Sequence, residues 1–163
     1  MLPSPPVSAP VSPPPGSRAA PLRVVLDTNA VLELLHFSDT RAGRLRAAIE
    51  SGRVLCLADA AGIAEIERVA AYPEFRLDAP ARRRLLAAYL AFADTGEADA
   101  SPPGDALPRC RDADDQKFLD LAARRRADAL ITRDAQLLRL ARRRPRPPFA
   151  ILTPGDAADA FGL

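Results

Sequence analysis

The chain has few aromatic residues: two tyrosines, six phenylalanines and no tryptophan in 163 residues. That excludes a stacking platform of the kind that holds single strands base by base. It also requires a core built mostly from Ala, Leu and Val. Cysteine is nearly absent. Cys56 and Cys110 are the only two, far apart and without metal-ligand spacing, which fits reduced thiols in a cytoplasmic protein. No apolar run is long enough to span a membrane. The first residues carry neither a positive region nor an unbroken apolar one, so they do not form a secretory signal. Lysine is almost missing: Lys117 stands alone against 22 arginines. GC-rich coding can produce that bias, but arginine also suits phosphate contacts. The net charge of +2 is too small to assign a partner.

Residues 1–21 contain eight prolines separated by Ser, Ala and Val. Proline lacks the amide hydrogen that helix and sheet need, so this stretch is expected to be an extended, disordered tail preceding one domain over 22–163. That length suffices for a single core.

The domain opens on Arg23-Val24-Val25-Leu26-Asp27-Thr28-Asn29. A continuous apolar run predicts a strand over 23–26 buried on both faces, as in a parallel sheet. Helical spacing predicts a helix over 29–35 and another from Asp39 or Thr40 to about 50, stopped by Ser51-Gly52. A second strand is expected over 53–58 and a helix over 59–72 capped by Asp59 and ended by Pro73. A further helix is expected over 79–93. Residues 95–108 read as the longest loop, with room for a short weak strand. A helix over 113–126, a strand over 128–132, a helix over 134–143, a strand over 149–152 and a short helix after Thr153-Pro154 complete the pattern. Alternating strands and helices with short connections predict an α/β fold with a central, mainly parallel sheet of four to five strands and helices on both faces. In such sheets ligands bind outside the carboxyl ends of the strands, where strand order reverses.

Four acids fall at comparable places: Asp27 after the first strand, Glu65 in the helix after the second, Asp115 at the start of the helix before the 128–132 strand, and Asp134 just after that strand. Gathered carboxylates repel one another unless a cation neutralises them. Mg²⁺ and Mn²⁺ are held by carboxylates and water, lower the pKa of a bound water and stabilise a departing phosphodiester oxygen. Each acid also has a plainer role. Asp27 and Asp134 suit helix N-caps, Glu65 could pair with Arg68 at i+3, and Asp112, Asp114 and Asp115 suit a helix first turn. Glu67 competes with Glu65, but the two lie about 200° apart on a helix, so only one can face a cleft.

The blocks VVLDTN, AEIERVAAYPEF, CRDADDQKFLDLA, ALITRD and ILTP, in that order, resemble the PIN domain, and more narrowly the VapC-like toxin components of bacterial toxin–antitoxin pairs. The similarity runs over about 23–156. It implies a three-layer α/β/α fold and a Mg²⁺- or Mn²⁺-dependent ribonuclease that leaves a 5′-phosphate and a 3′-hydroxyl. It places catalytic, metal-holding acids at Asp27, Glu65, Asp115 and Asp134. Thr28, Asn29, Asp112, Thr132 and Arg133 follow as supporting or phosphate-contacting residues. It further implies an RNA substrate, a cognate antitoxin, a homodimer and no membrane. Asp59 stands where relatives often carry Ser or Thr, an easy exchange for a cap.

Two other readings compete. A non-catalytic PIN-fold module that binds RNA or protein would share the fold. A haloacid-dehalogenase-like phosphohydrolase also places an aspartate after its first strand, but needs another two residues on, where this chain has Asn29, and a lysine before its last acids, whereas Lys117 follows Asp115. Metal-free ribonuclease chemistry lacks its histidine–lysine pair: His36 is alone and reads as a surface or helix-end residue. The triplets Arg82–Arg84, Arg124–Arg126 and Arg142–Arg144 each spread over about 200° of a helix, so none forms a patch by itself.

Overall fold

The computed structural model describes residues 20–36, 40–96 and 107–163. Most of the expected tail, Asp39 and most of the 95–108 loop lie outside those residues. The order is β1 (Leu22–Leu26), α1 (Thr28–Leu35), α2 (Thr40–Glu50), β2 (Val54–Leu57), α3 (Ala60–Ala70), α4 (Ala79–Phe92), β3 (Ala93–Asp94), α5 (Gln116–Arg124), β4 (Ala129–Ile131), α6 (Ala135–Leu140), β5 (Ala150–Leu152) and α7 (Pro154–Ala160). The five strands form one sheet in the order β3-β2-β1-β4-β5, and every pairing is parallel.

The apolar runs form central strands because both faces are covered. Val24 and Leu26 of β1, Cys56 of β2 and Ala129 and Ile131 of β4 pack with α1, α2, α3, α4 and α7. Their neighbours Val25, Leu57 and Leu130 point the other way, against Phe118, Leu119 and Ala122 of α5 and Leu137 and Leu140 of α6. The period of two along each strand therefore divides the core into two layers. The path β1 to β2 to β3 runs outward on one side of β1. The chain then returns through α5 to place β4 on the other side. The reversal point lies between β1 and β4, and Asp27 follows the first of these strands while Thr132 follows the second.

Besides shifts of one or two residues at other element ends, three boundaries differ from expectation. The weak strand occupies Ala93–Asp94, not the loop after it: at Ala93 the backbone turns extended while its N–H still caps α4 on the Tyr89 carbonyl, and the two residues pair with Cys56 and Leu57. Helix α5 starts at Gln116, not at 113, because the preceding residues are held in turns. Asp112 Oδ1 accepts from the Asp114 N–H at 2.9 Å, and Gln116 Oε1 accepts from the Cys110 N–H at 2.8 Å. Helix α6 stops at Leu140, where the Arg142 and Arg143 N–H groups reach back only three residues, to Arg139 and Leu140.

Arg125 lies outside any nucleic-acid role because it is buried. Its guanidinium donates to Asp94 Oδ2 at 2.9 Å and to the Gly96 carbonyl at 2.6 Å. The Arg125 carbonyl in turn accepts from Arg23 Nη2 at 2.7 Å. This one residue fastens the two-residue edge strand β3 to the end of α5. Arg124, beside it, pairs with Asp59 at 3.2 Å. Arg125→Met keeps the stem packed but removes the charged donors, so it should cost roughly 2–4 kcal/mol in urea denaturation. It should also speed amide exchange at Ala58, whose N–H bonds the Asp94 carbonyl at 3.0 Å. Unchanged protection at Ala58 would show that β3 does not depend on this clamp.

Candidate metal centre at the carboxyl ends of β1 and β4

The sheet ladder continues one step past β1. The Asp27 N–H donates to the Ile131 carbonyl at 3.0 Å, and the Thr132 N–H donates to the Leu152 carbonyl at 2.9 Å. Asp27 and Thr132 are thereby neighbours, and Asp27 is only 4% exposed. One carboxylate oxygen, Oδ1, accepts from the Ala30 N–H at 2.6 Å and caps α1. The other, Oδ2, accepts from the Thr132 hydroxyl. The helix-cap reading of Asp27 is therefore correct, and it leaves the carboxylate fixed at the reversal point. Burial raises its pKa from the ordinary 3.8 to about 6. The bonds from Thr132 and Ala30 oppose the rise, and the charges of Asp115 and Asp134 add to it.

Thr132 is fully buried and works in both directions. While its hydroxyl donates to Asp27, its oxygen accepts from the Asp134 N–H at 2.9 Å. Asp134 caps α6 through Oδ1, which accepts from the Gln136 N–H at 2.6 Å. Asp115 stands at the N-cap position of α5 but its side chain makes no cap bond. Burial raises its pKa, as do the charges of Asp134, Asp112 and Asp114. Asp112 is exposed and is spent on its own turn.

Glu65 reaches the same end of the sheet from α3. Its Oε1 accepts from the Thr28 hydroxyl at 2.8 Å, and its Oε2 pairs with the Lys117 ammonium from α5. The suggested partner Arg68 instead bonds the Tyr72 hydroxyl and lies 5.7 Å from that ring. Glu67 is exposed and borders a groove with Arg82 and Arg83 between α3 and α4, so the helix geometry selects Glu65. Asn29 is exposed. Arg133 pairs with Glu33, Nε donating to Oε2 at 2.6 Å, which ties the loop after β4 to α1. His36 is the exposed C-cap of α1.

Two participants escaped the sequence reading, Lys117 and Glu33. For Lys117 a signal existed: it is the only lysine in a chain that otherwise uses arginine, two residues past Asp115. Its ammonium also lies 5.3 Å from the Phe118 ring, and its pKa is lowered by burial, with Asp59 opposing. Glu33 gave no signal, because its partner is 100 residues away.

Among the described residues, no three His, Cys, Asp or Glu side chains form a group able to hold a metal ion as they stand. The donors nonetheless suit a hard divalent cation. They are all carboxylates, and beyond the effect of burial the charges of Asp115 and Asp134 add to the raised Asp27 pKa, and those of Asp134, Asp112 and Asp114 to the raised Asp115 pKa. A shared cation relieves that repulsion.

The Asp27 shift has a direct consequence for stability. A carboxyl whose folded pKa lies above its unfolded value stabilises the fold fully below the unfolded value, near 3.8, and loses that contribution as pH rises through about 6. The loss amounts to roughly 3 kcal/mol. Asp27→Asn removes the titration and keeps a good N-cap. In EDTA above pH 6 the variant should melt higher than the wild type, by roughly 10 °C, with the difference closing toward pH 4. A variant that melts lower at every pH would show that Asp27 is not under this strain.

No curated protein matches the chain. Among the described residues, no helix is long and apolar enough to cross a membrane. A family model described as PIN domain matches residues 23–136, a span that holds all four acids, Thr28, Thr132 and Lys117. The fold agrees with it in its all-parallel five-stranded sheet covered on both faces, and the chain belongs to the PIN domain family.

Proposed function

We propose that this PIN domain is a metal-dependent ribonuclease, with Asp27, Glu65, Asp115 and Asp134 as its catalytic acids and Mg²⁺ or Mn²⁺ as its cofactor. The observation that carries the reading is that Thr132 joins the Asp27 carboxylate to the Asp134 turn at the reversal point of the sheet, with Asp115 near enough for its charge to act on Asp27. When bound, the cation would lower the pKa of a water and offset charge on the phosphodiester. The protein's own groups do the positioning. Thr132 fixes the Asp27 carboxylate and the start of the Asp134 turn together. Thr28 fixes Glu65. Asp115, which caps nothing, is free to face the cation. Asp134 keeps one carboxylate oxygen uncommitted and can orient the attacking water. Water adds to phosphorus and gives up a proton, the bond to the 3′ oxygen breaks, that oxygen takes up a proton to become a 3′-hydroxyl, and the phosphate stays on the 5′ oxygen of the downstream fragment. Within this reading the chain is the toxin of a toxin–antitoxin pair, acts as a homodimer, and is restrained by a cognate antitoxin that covers the acids.

One observation favours the alternative of a non-catalytic binding module: Glu65 is already neutralised by Lys117. Incubation with single-stranded RNA and Mg²⁺ or Mn²⁺ separates the two. The ribonuclease should produce 5′-phosphorylated fragments, lose all cleavage in EDTA, and lose at least about 100-fold in Asp27→Asn, the scale of removing one electrostatic contributor. Mn²⁺ should raise the melting temperature of the wild type and leave Asp27→Asn unmoved. Cleavage that survives both EDTA and the substitution would refute the metal mechanism. Stabilisation by Mn²⁺ with no cleavage of any RNA would establish the binding module. Expression of the wild type, but not of Asp27→Asn, should arrest bacterial growth if the chain is a toxin.

A further inference from the structure

Beside Asp115 the surface forms a cleft lined by Arg109 and Arg111 from the segment before α5 and by Arg139 and Arg143 from α6 and the turn after it. Asp112 and Asp115 form its acidic side. Gln136, Arg139, Leu140 and Arg143 follow helical i, i+3, i+4, i+7 spacing, so one face of α6 and its continuation supplies this wall. Buried Leu137 and Leu140 make part of the lining. All four arginines are exposed, and among the described residues their guanidinium groups make no ion pair or side-chain hydrogen bond. Arg125, Arg124 and Arg133 differ, since each is committed to an aspartate or glutamate.

We propose that this cleft is the subsite that holds the phosphate backbone of single-stranded RNA next to the scissile bond, with Arg109, Arg111, Arg139 and Arg143 as its contacts. The proposal rests on the nuclease reading and deepens it. Four uncommitted guanidinium groups face two carboxylates, which leaves an excess of positive charge in a confined space. Each guanidinium presents forked donors that match two phosphate oxygens. The acidic end of the cleft is Asp115 itself, so a strand lying on the arginines passes directly to the catalytic acids. An acidic peptide would match the arginines equally but gains nothing from that continuity. The scarcity of aromatics agrees with a site that grips the backbone and does not stack bases.

Fluorescence anisotropy with a short single-stranded RNA, titrated with salt in EDTA so that no cleavage intervenes, tests the subsite. Arg139→Gln/Arg143→Gln should bind about tenfold more weakly, and its salt dependence should be shallower by about 1.4, the slope change for two lost phosphate contacts on a single strand. Arg109→Gln should lower the slope by about half as much. Arg53→Gln, at the amino end of β2 and so at the opposite end of the sheet, should leave both unchanged. Wild-type affinity and slope in the arginine variants would overturn the subsite. So would a wild type that binds no RNA but binds a polyglutamate peptide through the same arginines. Metal-dependent RNA cleavage by the wild type, with arginine variants that bind normally, would remove the subsite and leave the nuclease standing. Arginine-dependent RNA binding without cleavage in any metal would do the reverse.

Discussion

A carboxylate that is almost wholly buried must be held by donors or it will take up a proton. Asp27 is held by two, the Ala30 N–H of the helix it starts and the hydroxyl of Thr132. The second bond joins the ends of the two strands that flank the reversal point. Because the Thr132 oxygen also accepts from the Asp134 N–H, one buried hydroxyl sets the positions of two acids from distant parts of the chain. The register of β1 against β4, with Leu26 opposite Ile131, makes that contact possible. A one-residue slip would send Thr132 to the other face of the sheet.

Around this bond the charges are graded. Among the described residues, Asp27, Asp115 and Asp134 near the reversal point make no ion pair, and burial, followed by neighbouring acidic charge, raises the Asp27 and Asp115 pKa values. Glu65, one step outward, has Lys117. Farther out along Asp115 lie the arginines of the cleft. Among the described residues, uncompensated negative charge thus lies at the reversal point and excess positive charge along the cleft beside Asp115. The pairs Arg125–Asp94 and Arg133–Glu33 keep other arginines out of that field by spending them on structure.

The cysteines stay out of the chemistry. Burial pushes the Cys56 thiol up to about 12, and burial followed by the surrounding aspartates pushes Cys110 up to about 11. Both are free and remain protonated, so neither competes as a soft ligand with the carboxylates.

The sequence by itself determined the layered α/β architecture, because unbroken apolar strands and amphipathic helices each admit one kind of burial. It also determined which acids stand at strand ends, since Asp27 and Asp134 follow directly on the strands that carry them. Asp59 as a cap and the choice of two layers of helices were legible for the same local reason. The boundaries that moved did so where a side chain bonded the backbone nearby, as at Asp112 and Gln116, or where an edge strand of two residues was too short to leave a periodic trace. Contacts between residues far apart in the chain were decided only by tertiary structure. Thr132 with Asp27, Lys117 with Glu65, Arg125 with Asp94 and the four arginines of the cleft depend on strand order and helix docking. A hydrogen bond or an ion pair leaves no pattern in a linear chain when its partners are brought together by the packing of a sheet, and that packing set the Asp27 carboxylate beside Thr132 and the Asp134 turn.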